Sequence, residues 1–189
     1  GRCGVVSLVG IDVGSTHVKA GLFSEDGVTV RVASRATPVS RSGDGRAEID
    51  PDALWRATVE ALGEVTTGSA IGAIGVTGMA ETGLLIDAAQ GNTRSRLLPW
   101  FDASSEPQAR RIAARSDAST RFRSSGLAVT FKASLAKILW LRDLDPTLIK
   151  DARWLGAPEF VAWKLCGAMA TDASLAGRTC AFDIAGRRW

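Results

Sequence analysis

The sequence predicts an α/β domain, a mixed sheet flanked by helices, and three observations carry that expectation. The chain opens with short apolar runs separated by glycine turns, the pattern of an antiparallel meander. A proline-initiated helix with apolar residues at near-helical spacing comes next, followed by another buried apolar run. Beyond that run the spacing becomes mainly helical.

Residues 5–12 read as a buried strand and residues 18–24 as a second, joined by the tight Gly14-Ser15-Thr16 turn so that the two pair as a hairpin. After the Glu25-Asp26-Gly27 turn, Val30 and Val32 alternate with polar neighbours and predict a third, half-exposed strand over residues 29–33. Residues 40–47, rich in glycine, serine and charge, read as a loop. Asp50 then caps a helix with Pro51 at its first position; Leu54, Thr58, Leu62 and Val65 form its apolar face, and it stops near Gly68. Residues 71–77 and Gly83–Asp87 predict buried strands, the latter closing at Gln90-Gly91-Asn92. Helices are expected at Glu106–Arg115, at Ser134–Leu144, which Asp145-Pro146 stops, and over residues 158–165. Asp172 reads as a helix cap, residues 181–184 as a last short strand, and no internal repeat is visible.

Composition narrows the function classes. With 189 residues, 46% of them hydrophobic, the chain can bury one core, and 20 glycines with 6 prolines are ordinary usage, which excludes collagen-like and disordered readings. No apolar run approaches the roughly 18 residues a membrane span needs, and no leader pattern precedes Val5. Three cysteines, Cys3, Cys166 and Cys180, lack paired spacing, so a reducing cytoplasm is the expected setting. A net charge of +3 invites a nucleic-acid reading. Glu106 and Asp117 interrupt the cluster of Arg110, Arg111, Arg115, Arg121 and Arg123, which reads instead as a solvated helical face, so neither nucleic acid nor membrane is an expected partner. The chain starts at Gly1 and ends on Arg187-Arg188-Trp189, the look of a processed or truncated product. A terminal tryptophan either packs back or lacks the segment that covers it.

The sharpest local feature is Gly10-Ile11-Asp12-Val13-Gly14-Ser15-Thr16-His17-Val18-Lys19. Gly14 leaves room for a phosphate to approach the backbone, amides and hydroxyls of Ser15 and Thr16 can donate to phosphate oxygens, and Lys19 adds a point charge. Asp12, at the strand end, is placed to hold a water of Mg²⁺, which takes carboxylate, retained waters and substrate phosphates. The plain alternative is an ordinary Gly-Ser hairpin beside a solvated aspartate.

These residues resemble the first phosphate motif of the actin, Hsp70 and sugar-kinase superfamily. Four later blocks resemble one branch of it, the FGGY carbohydrate kinases. Ile74 to Asp87, with Gly78-Met79-Ala80-Glu81-Thr82-Gly83 inside it, is similar to the family's substrate-side strand and loop. Pro99-Trp100-Phe101-Asp102 resembles its Trp-x-Asp-x-Arg motif, Ser134 to Asp143 its helix with Lys137 and Trp140 three apart, and Thr171 to Trp189 the segment near the end of its first domain. The resemblance covers the whole chain. It implies a ribonuclease H-like domain of the actin/hexokinase superfamily, with residues 1–189 as the N-terminal FGGY domain, truncated, and the C-terminal nucleotide domain absent. It further implies ATP and Mg²⁺, a sugar or polyol substrate, compatibility with a homodimer, and a catalytic base beyond Trp189.

The same resemblance assigns substrate contacts. Glu81 falls where the family places a polar sugar contact, and a carboxylate can accept two hydroxyl bonds. Ala80 stands where glycerol kinases carry arginine, and Met79 where xylulokinases carry glutamine. Trp100 would offer its indole face to sugar C–H groups, or simply pack in the core. Asp102 keeps the motif carboxylate, while Ser104 replaces the arginine. Lys132 occupies a place usually small or aromatic, where a cation would favour a sugar acid or be a plain surface lysine. His17 reads as a solvated strand residue, and Lys137 and Trp140 as structural.

Function is accordingly expected to be the substrate-binding half of a kinase that moves the ATP γ-phosphate to a hydroxyl of a ketose, polyol or sugar acid. The isolated chain is expected to be inactive. A non-catalytic sugar-binding or regulatory module on the same fold is the rival, fed by Ser104 and Lys132. An actin- or Hsp70-like ATPase shares only the first motif.

Overall fold

The computed structural model describes residues 6–115 and 117–189. Cys3 and the expected strand start at Val5 lie outside them. Strands β1 (Ser7–Val13), β2 (His17–Phe23) and β3 (Thr29–Ala36) form the predicted antiparallel meander. Along β1, Val9, Ile11 and Val13 are buried while Gly10 and Asp12 take the other face, the period of two that a strand imposes. Val18, Ala20 and Leu22 of β2 extend the same buried layer.

Residues 40–47 are not simply a loop. Strands β4 (Val39–Arg41) and β5 (Ala47–Ile49) pair around them as a short hairpin, and Ile49 bridges to Leu97. Asp50 Oδ1 then accepts the Ala53 N–H at 2.9 Å and opens helix α1 (Pro51–Thr66), which lays Leu54, Ala61 and Val65 on the sheet. Arg35 of β3 reaches Glu60 and Glu64 of α1 at 3.2 and 2.8 Å. The chain returns in β6 (Ile71–Gly78), parallel to β1, giving the order β3-β2-β1-β6 and the expected mixed sheet, but as an edge strand β6 is largely exposed rather than buried as its apolar run predicted.

Strand β7 (Gly83–Asp87) leaves this sheet for a partner that the sequence reading omitted, β8 (Ala152–Gly156), antiparallel to it. Helices α2 (Glu106–Arg115), α4 (Ser134–Leu144) and α5 (Ala157–Cys166) fall where expected. Helix α3 (Ala118–Ser125) was not expected, although Asp117 caps its start and Gly126 its end. Asp172 does cap a helix, the short α6 (Ala173–Gly177). Residues 181–184 form no strand: Asp183 accepts from the amides of Ala185 and Gly186, and that turn bridges to Arg188. Trp189 meets Phe182 edge-on at 5.1 Å yet stays 70% exposed. No helix among the described residues is long and apolar enough to cross a membrane.

The main core lies between the sheet and helices α1 and α5, where Phe160 and Val161 close it. A second cluster, Leu85, Leu98 and Leu141 with Trp140 and Trp154, sits between β7, β8 and α4. At the end of β6 a Cβ on Gly78 would lie 2.4 Å from the Val13 carbonyl oxygen, so glycine is required for β6 to close on β1 there. Gly78→Ala is expected to cost about 2 kcal/mol, the range of an overpacked core. Urea unfolding checks it, and a variant as stable as the parent contradicts the packing.

Candidate functional site

The β1–β2 turn is built from the backbone outward. Gly14 donates its N–H to the His17 carbonyl at 3.1 Å, and a Cβ on Gly14 would sit 2.7 Å from that same oxygen. Thr37, just past β3, pins the turn from outside: its hydroxyl donates to the Gly14 carbonyl at 2.7 Å and its N–H to the Thr16 carbonyl at 2.9 Å. The turn thus consumes the Gly14 amide. The amides and hydroxyls of Ser15 and Thr16 have no partner among the described residues, so four donors remain for a ligand.

Asp12 and Lys19 oppose each other in the β1–β2 ladder, and Asp12 opposes Thr77 of β6. All three line a groove of about 490 Å³ across the solvent face of the sheet. Its floor is a row of small residues: Gly10 faces Gly21 on one side and Gly75 on the other.

The loops that carry Glu81 and Trp100 converge through one buried cation. Lys137 of α4 is fully buried, and its Nζ donates to the Pro99 carbonyl at 3.0 Å and to the Glu81 carbonyl. Thr82 adds a second tie: its hydroxyl accepts the Trp100 N–H at 2.9 Å and its carbonyl the Ala157 N–H at 2.8 Å. Glu81 takes a left-handed backbone, φ 61°, which a non-glycine residue holds only at a cost of order 1 kcal/mol or more. The turn tips its side chain toward Arg178, whose Nη2 lies 3.0 Å from Oε1, and among the described residues Oε2 has no ion-pair partner. Burial pulls the Lys137 ammonium down to about 8, against the opposing charges of Glu81 and Asp102.

Asp102 has a part other than open contact with ligand. It is buried, Oδ2 accepts the Ala47 N–H at 2.8 Å, and Oδ1 accepts the Ser104 N–H at 3.0 Å. The carboxylate therefore clasps the β4–β5 hairpin to the Trp100 loop. The serine at position 104 serves this clasp through its backbone, so the missing arginine leaves it intact. Met79 packs against the main core and donates its N–H to the Val13 carbonyl at 2.9 Å, which ties the β6 end to β1.

Trp100 and Phe101 meet as a T-shaped pair with centroids 5.4 Å apart. Lys132 places its ammonium 5.1 Å from the Trp100 ring. Arg41 of β4 lies 4.7 Å from the Phe101 ring. Ser15, Thr16, Thr37, Arg41, Trp100 and Phe101 together line one cavity of about 460 Å³. The Gly14-Ser15-Thr16 turn and the Trp100–Phe101 pair, distant in sequence, thus line a single space.

That juxtaposition agrees with comparison to known proteins: residues 7–189 match the N-terminal domain of the FGGY family of carbohydrate kinases. The chain belongs to the FGGY family. Its fold is accordingly the ribonuclease H-like one of the actin/hexokinase superfamily. It is 30% identical over 187 residues to a glycerol kinase of Gloeobacter violaceus, covering 97% of this chain and 38% of that protein. It is 29% identical over 185 residues to the xylulose kinase of Escherichia coli, covering 96% and 38% respectively. Among solved structures, a xylulose kinase from Rhodospirillum rubrum superposes with a TM-score of 0.88 at 26% identity, over 95% of this chain and 38% of that one. The chain therefore spans under two fifths of the length of these FGGY relatives.

Two of these contributors escaped the sequence reading. Arg41 sat in a stretch read as a loop, and only its position three residues past Pro38, with Val39 alternating beside it, signalled a strand. Arg178 was visible only inside a longer similar block; its reach to Glu81 spans a distance no local pattern encodes. Because the folded pKa of Lys137 lies below that of a solvated lysine, the folded chain binds fewer protons between about pH 8 and about pH 10.4. Its stabilising contribution therefore grows as pH rises through that window and is lost as pH falls through about 8. Urea unfolding of the parent and Lys137→Met at about pH 7.5 and pH 10 should show the difference shifting about 2 kcal/mol in the parent's favour at the higher pH. An equal difference at both contradicts the buried-ammonium assignment.

Proposed function

We propose that this chain is the substrate-holding half of an ATP-dependent carbohydrate kinase, working on a ketose, polyol or sugar acid. The observation that carries the reading is the shared cavity, in which the free donors of Ser15 and Thr16 face the Trp100 indole. The indole offers an apolar face to the C–H side of a sugar. Glu81, fixed by Arg178 and by its lysine-held backbone, accepts hydroxyl bonds. Ser15 and Thr16 donate to the phosphoryl oxygens in transit, with Lys19 adding positive charge at the sheet face. Asp102, Met79 and Lys137 hold these loops in place.

The donor set around Asp12 fits Mg²⁺ in one mode. The described residues offer no cluster of three ligating side chains, yet Asp12 is an exposed carboxylate beside the phosphate turn. A single carboxylate with retained waters and substrate phosphates is how this ion is usually held, and it would neutralise phosphate charge there. In the transfer, the acceptor hydroxyl oxygen bonds to the γ-phosphorus as the bond to the ADP oxygen breaks, and the hydroxyl proton passes to a base. We assign that base and the adenosine site to the length of the relatives that this chain does not span. Closure of that remainder would exclude water from the cavity. Cysteine usage favours a cytoplasmic setting.

Two outcomes test the reading. The purified chain should bind a polyol or sugar weakly and release no ADP from ATP in its presence; sugar-dependent ADP release contradicts the half-site assignment. Glu81→Gln should lower sugar affinity about tenfold by calorimetry, with circular dichroism showing the fold retained. Unchanged affinity removes Glu81 from the contact set.

A further inference from the structure

The charge balance of the cavity narrows the substrate class, an inference that rests on the proposed sugar-binding role of this site. The carboxylates of the loops beside it, Glu81 and Asp102, do not line the cavity and have protein partners of their own. Glu81 is paired with Arg178, and both oxygens of Asp102 accept backbone N–H groups. Two cations at its aromatic wall, Arg41 in the lining itself and Lys132 over the Trp100 ring, have no such partner. Among the described residues, neither Arg41 nor Lys132 has a carboxylate within ion-pairing distance, and each is held only over an aromatic face of the Trp100–Phe101 pair. No carboxylate lines the cavity at all. Elsewhere in the molecule several arginines do find acids, Arg35 two and Arg46, Arg94, Arg96 and Arg111 one each, while Arg56 and Arg153 pair with none among the described residues.

We propose that the Trp100–Phe101 cavity is an anion subsite and that the preferred acceptor is a polyhydroxy carboxylate rather than a neutral sugar. The carboxylate end is met by the Lys132 ammonium and the Arg41 guanidinium, which can leave their rings to form charge-assisted bonds. The hydroxylated chain then runs over the indole toward Glu81. A cation resting on a ring face at an exposed site is held weakly enough for a carboxylate to draw it away. A second source of the same charge is a phosphoryl group, since Ser15 and Thr16 border the cavity.

The test is calorimetric binding to the chain of a five- or six-carbon aldonate and of the alditol of equal length, in which the carboxylate becomes a neutral hydroxymethyl group. The aldonate should bind about tenfold tighter or more, as a charged hydrogen bond allows. Lys132→Met and Arg41→Met should each erase most of that advantage without weakening the alditol, and Lys132→Arg should restore it. Circular dichroism of each variant separates a lost contact from a lost fold. Equal binding of aldonate and alditol by the parent, or an aldonate advantage that survives both methionine variants, overturns the inference while the sugar-site reading stands. Binding of neither ligand overturns the sugar-site reading and this inference with it. If inorganic phosphate displaces the bound aldonate in no variant-dependent way, the carboxylate assignment holds. If phosphate alone binds with the same dependence on Arg41 and Lys132 and the aldonate does not, the cations belong to the phosphoryl side and the substrate-class inference fails.

Discussion

The site depends on one buried ammonium. Lys137 has no exposed surface, and its charge is met by two carbonyls from segments 56 and 38 residues away in the chain, those of Glu81 and Pro99. Removing an ammonium from water is costly, and carbonyl dipoles offset that cost only when they are held in place. The constraint therefore works in both directions. The loops need the lysine to converge, and the lysine needs both loops ordered to remain charged near neutral pH. Glu81 in its left-handed turn and Trp100 on its platform are the consequence. So is the position of Arg178, which would have no fixed carboxylate to approach if the Glu81 loop were free.

Around that centre the fold supplies rigidity from three sides. Thr37 and Gly14 fix the β1–β2 turn, and Asp102 clasps β5 to the Trp100 loop. Gly78 lets β6 close on β1 so that Met79 and Glu81 leave the sheet at a set point. Each of these ties uses backbone groups on at least one side. Side-chain substitutions such as the serine at position 104 can then accumulate while the architecture persists, which is how a chain near 30% identity to glycerol kinases retains the geometry. Arg41 projects into the cavity and Lys132 lies over the Trp100 ring that lines it, and the proposed specificity rests on these two side chains.

Much of this was legible in the sequence, and what was not has physical causes. The meander, the Asp50-Pro51 helix start and the helix with Lys137 and Trp140 are written in local spacing and capping chemistry, so they were read nearly to the residue. Strands β4 and β5 are three residues each, too short for alternation to show, and exist because Asp102, 55 residues downstream of Ala47, accepts its amide. Strand β8 follows a 3₁₀ turn and is specified by its partner β7 rather than by its own pattern. Helix α3 was missed because its serines and threonine are indifferent helix formers, although its caps at Asp117 and Gly126 were available signals. Among the proposed site residues, Glu81 and Trp100 were singled out by similarity of motif. Asp102 was found too, but its buried clasp became visible only with tertiary contacts.

The claim that Lys137 holds the Glu81 and Trp100 loops as one unit is tested most directly by amide hydrogen exchange in the parent and in Lys137→Met. The amides of Trp100 and Ala157, both bonded to Thr82, report on the joined loops, while those of β1 and β2 report on the sheet. The account predicts that Trp100 and Ala157 lose protection together in the variant while the β1 and β2 amides keep theirs. Unchanged protection of Trp100 and Ala157, or their loss only in step with the whole sheet, would contradict it.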